Sequence, residues 1–188
     1  MKAVSDGQIE WVIGLFGIIL MMLLMLTEFQ LLAYRASSDY MEDALAAGGL
    51  ACAKIDTDIY GSSHGLIISD PLESYEEYKR ALRVNMGVDE NFRSGNSTLI
   101  TGGVSIDDFR IYNVSGDSVT EICVSDEGVS SHEGRLGEKT TPSGQIVGST
   151  GVYGEISYEV QGLFGIRTEA HKSKLVEVRT TAAGKEGE

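Results

Sequence analysis

The chain contains a long block of apolar residues that carries no charge. The block runs from Trp11 to Leu26 and reads WVIGLFGIILMMLLML. Extended over 11–34, it contains only three polar residues: Thr27, Glu28 and Gln30. A helix of this length is roughly 36 Å long, whereas the hydrocarbon core of a bilayer is about 30 Å thick. The pattern therefore predicts a transmembrane helix over 11–34.

Two other structures can produce an apolar block near the start of a sequence. A secretory signal peptide ends close to small residues in an A-x-A arrangement, but Ala44 to Ala46 lies well beyond the block. A buried core helix needs apolar neighbours on all sides, and 188 residues supply too few of them outside the block. A retained membrane anchor fits the pattern better than either alternative.

The helical periodicity continues beyond the predicted span. Apolar or small residues recur at alternating steps of four and three, namely Met41, Leu45, Gly48, Cys52 and Ile55. Charged residues lie off this seam, so 35–56 is predicted to be an amphipathic helix. The small side chain of Gly48 allows another backbone to approach closely. The seam either packs on the chain's own domain or forms a subunit-packing surface through Met41, Leu45 and Gly48.

A second helix has clear boundary signals. Asp70 is placed as the N-cap, Pro71 occupies the first helical position, Glu73 is placed to complete a capping box, and Gly87 follows as a stop. Its apolar face is predicted to consist of Leu72, Tyr75, Tyr78, Leu82 and Met86. We expect this helix to pack on the rest of the domain.

The rest of the chain alternates with the period of two that is typical of strands. Residues 109–112 and 119–124, joined by a turn at Ser115-Gly116-Asp117, predict one hairpin. Residues 152–160 and 166–178 predict a second. In the strand 152–160, Val152, Gly154, Ile156, Tyr158 and Val160 are expected to face one way.

The stretch between the hairpins is rich in glycine and charge. Residues 126–147 are predicted to be a loop, either a contact surface or a loose connection. The expected fold class is α+β, with a single N-terminal transmembrane helix that continues as an amphipathic stalk, followed by an antiparallel β-rich domain. The predicted parts are a leader (1–10), the transmembrane helix (11–34), the amphipathic helix (35–56), an extracytoplasmic α+β domain (57–180) and a polar tail (181–188).

The charge distribution bears on the location of the domain. The formal net charge is −13, and 25 of the 28 acidic residues but only 13 basic residues follow Arg35. So acidic a domain is repelled by the anionic cytoplasmic leaflet and by nucleic acid. We therefore expect a single-pass protein of the cell membrane whose C-terminal domain lies outside, with no nucleic-acid partner.

The sequence has only two cysteines, Cys52 and Cys123. In an oxidising compartment they could form a disulfide that closes a loop of about 70 residues and stabilises the fold by about 4 kcal/mol. Otherwise they are two small buried hydrophobic residues. The three histidines share no spacing with the cysteines that resembles a metal site. No metal or cofactor is expected.

Motifs of catalysis are scarce. The segment 148–154, GSTGVYG, lacks the Lys-Ser/Thr of a phosphate-binding loop and precedes a predicted strand. No serine lies in a G-x-S-x-G motif. Adjacent acids such as Asp107-Asp108 are usual on so acidic a surface and do not have calcium-loop spacing. The sequence favours assembly or binding, and we do not expect an enzyme.

Several stretches carry a resemblance to a known family. A short polar leader ends in Gly7, and Gln8-Ile9-Glu10 stands directly before the apolar helix. This arrangement resembles type IV pilins and pseudopilins. More narrowly, GQIEWVIGLFGIILMMLLMLTEFQLLAYRAS, MEDALAAGGLACAKID and TGVYGEISYEVQGLFGIRTEAHKSKLVEV resemble TadE-like proteins of tight-adherence pilus systems. Such proteins are minor pilins or membrane-anchored pilus assembly components with an external C-terminal domain.

The resemblance implies processing and subunit packing at the N-terminus. A prepilin peptidase would cut between Gly7 and Gln8, and Glu10 would neutralise the amino terminus of a neighbouring subunit. Glu10 would then be the third mature residue, whereas pilins usually carry glutamate at the fifth. Glu28 is a second intramembrane carboxylate or marks the membrane interface.

Two functions follow from these patterns. The first is a membrane-anchored minor pilin or pilus assembly component, whose partners are the membrane and other pilus or secretion-system subunits. The alternative is a membrane-tethered extracytoplasmic binding module or sensor subunit, in which the helix only anchors the domain.

Overall fold

The fold combines one long apolar helix with an antiparallel sheet. The computed structural model describes residues 6–95, 100–126, 128–162 and 165–179. The helices in these ranges are α1 (Asp6–Cys52), α2 (Thr57–Ser63) and α3 (Pro71–Met86). The strands are β1 (Val104–Ser115), β2 (Ser118–Ser125), β3 (Gly128–Arg135), β4 (Gly151–Gln161) and β5 (Arg167–Glu177). The α+β arrangement with an N-terminal apolar helix is confirmed.

Helix α1 is unbroken over 47 residues and unites the predicted transmembrane and amphipathic segments. It begins at Asp6, inside the predicted leader, and ends at Cys52, four residues before the predicted end. The chain turns there because Asp56 caps the short helix α2. The Asp56 carboxylate accepts hydrogen bonds from the backbone N–H groups of Asp58 and Ile59, each at 3.0 Å. Helix α2 was not predicted from the sequence.

Helix α3 has the predicted boundaries. The Asp70 side chain accepts a hydrogen bond from the Glu73 N–H at 2.9 Å, and Gly87 ends the helix with φ of 63°. Tyr75, Tyr78, Leu82 and Met86 are buried as predicted, whereas Leu72 is exposed because Ser74 occupies the buried position in the first turn. The Glu73 carboxylate pairs with Lys54 at 2.9 Å.

The five strands form one antiparallel sheet in the order β3-β2-β1-β4-β5. Both predicted hairpins are confirmed, with Val114 opposite Val119 in the first and Val152 opposite Val176 in the second. The prediction of a loop over 126–147 is wrong for β3, which pairs with β2 from end to end. Strand β3 is an edge strand with both faces in solvent, so its sequence lacks the apolar alternation that signals a strand.

The two faces of the sheet carry separate cores. On one face, α1 and α3 pack against the strands and form the helix-side core. Its large members include Met41, Leu45, Ile68, Tyr75, Tyr78, Leu82, Met86, Phe109, Ile111, Val152, Ile156 and Tyr158. The opposite face, here called the outer face, carries a small cluster of Tyr112, Val119, Val147, Tyr153 and Leu175. The predicted alternation along β4 is confirmed, because Val152 and Ile156 join the first core and Tyr153 the second.

A close approach between α3 and β4 depends on Gly154. The ring of Tyr78 packs on Phe109 with centroids 4.8 Å apart, and its hydroxyl points at the bare backbone of β4. A Cβ added at Gly154 would lie 1.9 Å from the Tyr78 hydroxyl oxygen. The Tyr78 hydroxyl has no hydrogen-bond partner within the described ranges. The helix can therefore approach the sheet only while residue 154 lacks a side chain.

We expect the substitution Gly154→Ala to destabilise the fold by about 1–3 kcal/mol, because the added methyl group overpacks the core. Thermal melting of the full chain in detergent micelles, followed by circular dichroism, measures the loss. The matched control is Gly61→Ala in α2, where nothing lies within 4 Å of the added carbon. Equal melting temperatures for the two variants would contradict the packing at Gly154.

Candidate membrane anchor and assembly surface

The first half of α1 is an apolar helix that the fold leaves uncovered. Nearly all residues from 11 to 33 are exposed, and none is fully buried. We call this segment the exposed helix. Within the described part of the chain, α1 is the one helix long and apolar enough to cross a membrane.

The exposed helix is apolar on every side. Four consecutive residues, Ile18, Ile19, Leu20 and Met21, are exposed to 69%, 48%, 49% and 65%. Successive residues of an α-helix are rotated by about 100°, so these four side chains point around the whole circumference. A single protein partner would cover one stripe of such a helix, whereas lipid surrounds it completely. The arrangement is suited to a hydrocarbon environment.

The second half of α1 belongs to the domain. Met41 and Leu45 are 0% and 1% exposed, and a Cβ added at Gly48 would lie 3.0 Å from Leu82 and 3.1 Å from Tyr78. The predicted use of Met41, Leu45 and Gly48 as a subunit-packing surface is therefore corrected. Because α3 already packs on this seam, it is the chain's own core.

The other predicted assembly residues lie at the start of α1. Gly7 and Gln8 are in the first turn of the helix, and Glu10 follows one turn later with an exposed side chain. The remaining leader residues, 1–5, and the predicted polar tail, 181–188, lie outside the described residues. Glu28 is also exposed, near the end of the exposed helix.

A three-residue ion cluster joins α1 to β5. The Glu42 carboxylate contacts Lys172 Nζ at 2.9 Å and Lys174 Nζ at 2.5 Å. Lys172 also donates to the Ser38 hydroxyl at 3.1 Å. Hydrogen bonds from Lys174 and Lys172 lower the pKa of Glu42 to about 2. We call Glu42, Lys172 and Lys174 the stalk cluster. The sequence pattern placed Glu42 only among the charged residues off the apolar seam of 35–56.

A second ion cluster lies on the outer face of the sheet. Glu121 is nearly buried and binds Arg110 at 2.8 Å, Lys139 at 2.5 Å and the Tyr112 hydroxyl at 3.0 Å. Burial raises the pKa of Glu121, but the hydrogen bonds from Lys139, Arg110 and Tyr112 outweigh it and the net shift is downward. Arg110 also pairs with Asp108 at 2.7 Å. Because every charge is matched, the cluster serves to fix the segment after β3 on the sheet.

A cleft of about 370 Å³ opens where β1 and β2 separate. The two strands pair only from Arg110 opposite Cys123 to their turn, so the first half of β1 has no partner on that side. Asp107 lies in this cleft. Its carboxylate accepts a hydrogen bond from Ser157 at 2.9 Å and lies 3.3 Å from His171 Nδ1. The cleft is polar and open to solvent.

The two cysteines are both free thiols, so the disulfide left open by the sequence is not formed. Cys52 is buried in the helix-side core, where burial raises its pKa to about 12. Cys123 lies two residues after Glu121 on β2 and therefore shares the outer face. The sheet separates the two thiols.

Neither metal ligation nor known relatives define a site. No group of three or more His, Cys, Asp or Glu side chains is arranged to hold a metal within the residues described. Comparisons with protein families, curated proteins and solved structures gave no match. The uncovered apolar helix and the domain that packs against its continuation are the features from which a function can be argued.

The stalk cluster predicts a pH dependence of stability. Because the folded-state pKa of Glu42 is about 2 and its ordinary value is 4.5, the stabilisation is present above about pH 4.5 and is lost as the pH falls towards 2. The carboxylate is partly exposed, so we expect Glu42→Gln to cost about 1 kcal/mol at pH 7. Melting temperatures from pH 7 to pH 2 should show the difference between the two proteins shrinking below pH 4.5.

The matched control for this prediction is Asp43→Asn. Asp43 is the neighbouring acid on α1, is exposed, and has no ion pair among the described residues. Its substitution should leave the melting temperature nearly unchanged at every pH. A constant difference between wild type and Glu42→Gln over the whole range would show that the cluster does not stabilise the fold by its charge.

Proposed function

We propose that this chain is a single-pass membrane protein whose exposed helix crosses the bilayer and whose α+β domain lies outside the cell. We further propose that it acts as a minor pilin or pilus assembly component of a tight-adherence system. The observation that carries the membrane assignment is the exposure of apolar side chains around the full circumference of residues 18–21. The resemblance of residues 7–37, 41–56 and 150–178 to TadE-like proteins supports the pilus assignment.

The continuity of α1 supports a role in assembly. A helix of 47 residues is about 70 Å long, and only its first half is apolar on all sides. The second half is fixed to the sheet by Met41, Leu45 and the stalk cluster. Any displacement of the helix in the membrane therefore moves the domain with it. This mechanical coupling suits a subunit that is inserted into, or helps to build, a larger membrane assembly.

Glu10 has a defined place in this proposal. Cleavage between Gly7 and Gln8 would bring the new amino group within one helical turn of the exposed Glu10 carboxylate. An uncompensated charge in the apolar region is costly, so the carboxylate of one subunit would pair with the amino terminus of the next. Glu10 is thus the residue that we expect to bind another subunit, and the seam at Met41 is not.

The alternative function is a membrane-tethered extracytoplasmic binding module or sensor subunit. The cleft between β1 and β2 favours it, because it offers polar groups around a solvent-open volume. In that case the partner would contact the domain, and the helix would serve only as an anchor.

The membrane assignment predicts the effect of charge in the helix. Replacing Leu20 and Leu24 together by arginine adds about 6–8 kcal/mol to the free energy of insertion. We expect the double variant to leave the membrane fraction after carbonate extraction, as judged by immunoblotting. Leu72→Arg is the control, since Leu72 is an exposed leucine on α3 of the domain. A double variant that stays in the membrane fraction would contradict the span.

The pilus assignment is tested by the N-terminus and by crosslinking in the host. We expect the intact mass of the membrane-extracted protein to lack residues 1–7, and the amino-terminal sequence to begin at Gln8. A photo-crosslinking amino acid at Phe16 should capture pilus or secretion-system subunits, whereas one at Val84, exposed on α3, should not. Capture from Val84 alone, with an unprocessed N-terminus, would favour the binding module.

A further inference from the structure

The two aromatic residues at the ends of the predicted span mark the depth of the helix in a bilayer. Trp11 and Tyr34 are 23 positions apart, which corresponds to about 34 Å along a helix. The hydrocarbon core is about 30 Å thick, and Trp and Tyr concentrate at its two interfaces. With Trp11 at one interface, Tyr34 lies at the other. The turn of α1 from Gln30 to Tyr34 is then the one that leaves the membrane.

The end of the β4–β5 hairpin touches α1 at this turn. A Cβ added at Gly162 would lie 2.5 Å from the Tyr34 hydroxyl oxygen and 2.7 Å from Gln30 Nε2. The Gly162 N–H donates to the Ile166 carbonyl oxygen at 2.6 Å, which holds the two arms of the hairpin together. Only glycine at position 162 allows so close a contact. The hairpin end is therefore held at the same depth as Gln30 and Tyr34.

The side chains available at this hairpin end suit a membrane interface. Ile166 is 64% exposed although it is a large apolar residue. Arg167 follows it, and its exposed guanidinium also pairs with Glu159 at 3.4 Å. The exposed Arg35 stands next to Tyr34. Guanidinium groups form charge-assisted hydrogen bonds with phosphate. The transfer of an isoleucine side chain out of water is favourable. An apolar residue next to one arginine, close to a helix turn that is followed by another, matches the boundary between acyl chains and headgroups.

We infer that the β4–β5 hairpin end is a second membrane contact, in which Ile166 enters the headgroup boundary of the outer leaflet of a phospholipid bilayer. This inference rests on the proposed membrane span. With two contacts, the domain no longer rotates freely about the helix exit point. The sheet is then held in one orientation to the membrane. The first residues of β5 lie next to the lipid surface, and β3 is the edge strand on the other side of the sheet.

The test uses depth-dependent quenching of fluorescence in the full chain. The variants Ile166→Cys, Val129→Cys and Met21→Cys are each made with Cys52→Ala and Cys123→Ser, and each carries one environment-sensitive fluorophore. Val129 is the matched control, because it is an exposed apolar residue on the opposite edge strand. The proteins are reconstituted in phosphatidylcholine vesicles that contain nitroxide lipids labelled either near the headgroup or deep in the acyl chain. Circular dichroism checks that each variant is folded.

We expect the probe at position 166 to be quenched several-fold more strongly by the shallow nitroxide than the probe at position 129. The probe at position 21 should be quenched most strongly by the deep nitroxide. If position 166 behaves like position 129 while position 21 is quenched, the hairpin contact is overturned and the span stands. If position 21 is not quenched by either lipid, the span fails, and the inference fails with it.

Discussion

The structure depends on a single helix that changes its environment halfway along its length. Helix α1 is exposed and apolar on all sides up to residue 33, and from Ser37 it becomes part of the domain core. Backbone hydrogen bonds continue through the change, so the two halves cannot move independently by more than helix bending allows. The domain is built against the second half: Gly48 admits Leu82 and Tyr78, and a Cβ at Gly49 would lie 2.7 Å from Val176. Small residues on α1 thus set how closely α3 and β5 approach.

Basic residues are scarce in this chain, and the two main ion clusters contain four of them. The chain has 15 lysines and arginines against 28 acids, yet two carboxylates, Glu42 and Glu121, each bind two cations. The first cluster holds the sheet to α1, and the second holds the segment after β3 to the outer face. In these two clusters the basic residues join separate elements of the fold. Most of the remaining acids stay in solvent, which gives the domain its negative surface.

Much of the architecture was predictable because its signals are local. The caps of α3, Asp70 and Gly87, act within a few residues, and the alternation along β4 reflects a strand with two unlike buried faces. Strand β3 was missed because an edge strand with both faces in solvent carries no such pattern. Leu72 was predicted to be buried because its spacing fits the apolar face of α3. In the structure Ser74 is the buried residue in the first turn, and Leu72 is exposed. Glu42 and Lys174 lie 132 positions apart, and no local pattern joins them. A local pattern also does not tell what covers the apolar seam of a helix. Met41 and Leu45 are covered by the chain's own domain, and only the tertiary structure shows this.

The core membership of α1 also decides where this chain can be divided. A fragment that begins at residue 57, the predicted start of the outer domain, would lack Met41, Ala44, Leu45 and Cys52, which are all buried in the helix-side core. Its α3 and its sheet would expose their apolar faces to water. A water-soluble version for crystallography or antibody production has to begin between the end of the exposed helix at residue 33 and Ser37, so that it keeps the buried half of α1 and omits the apolar half. The smallest independent folding unit of this protein therefore includes the second half of α1, which the sequence pattern had set apart from the outer domain.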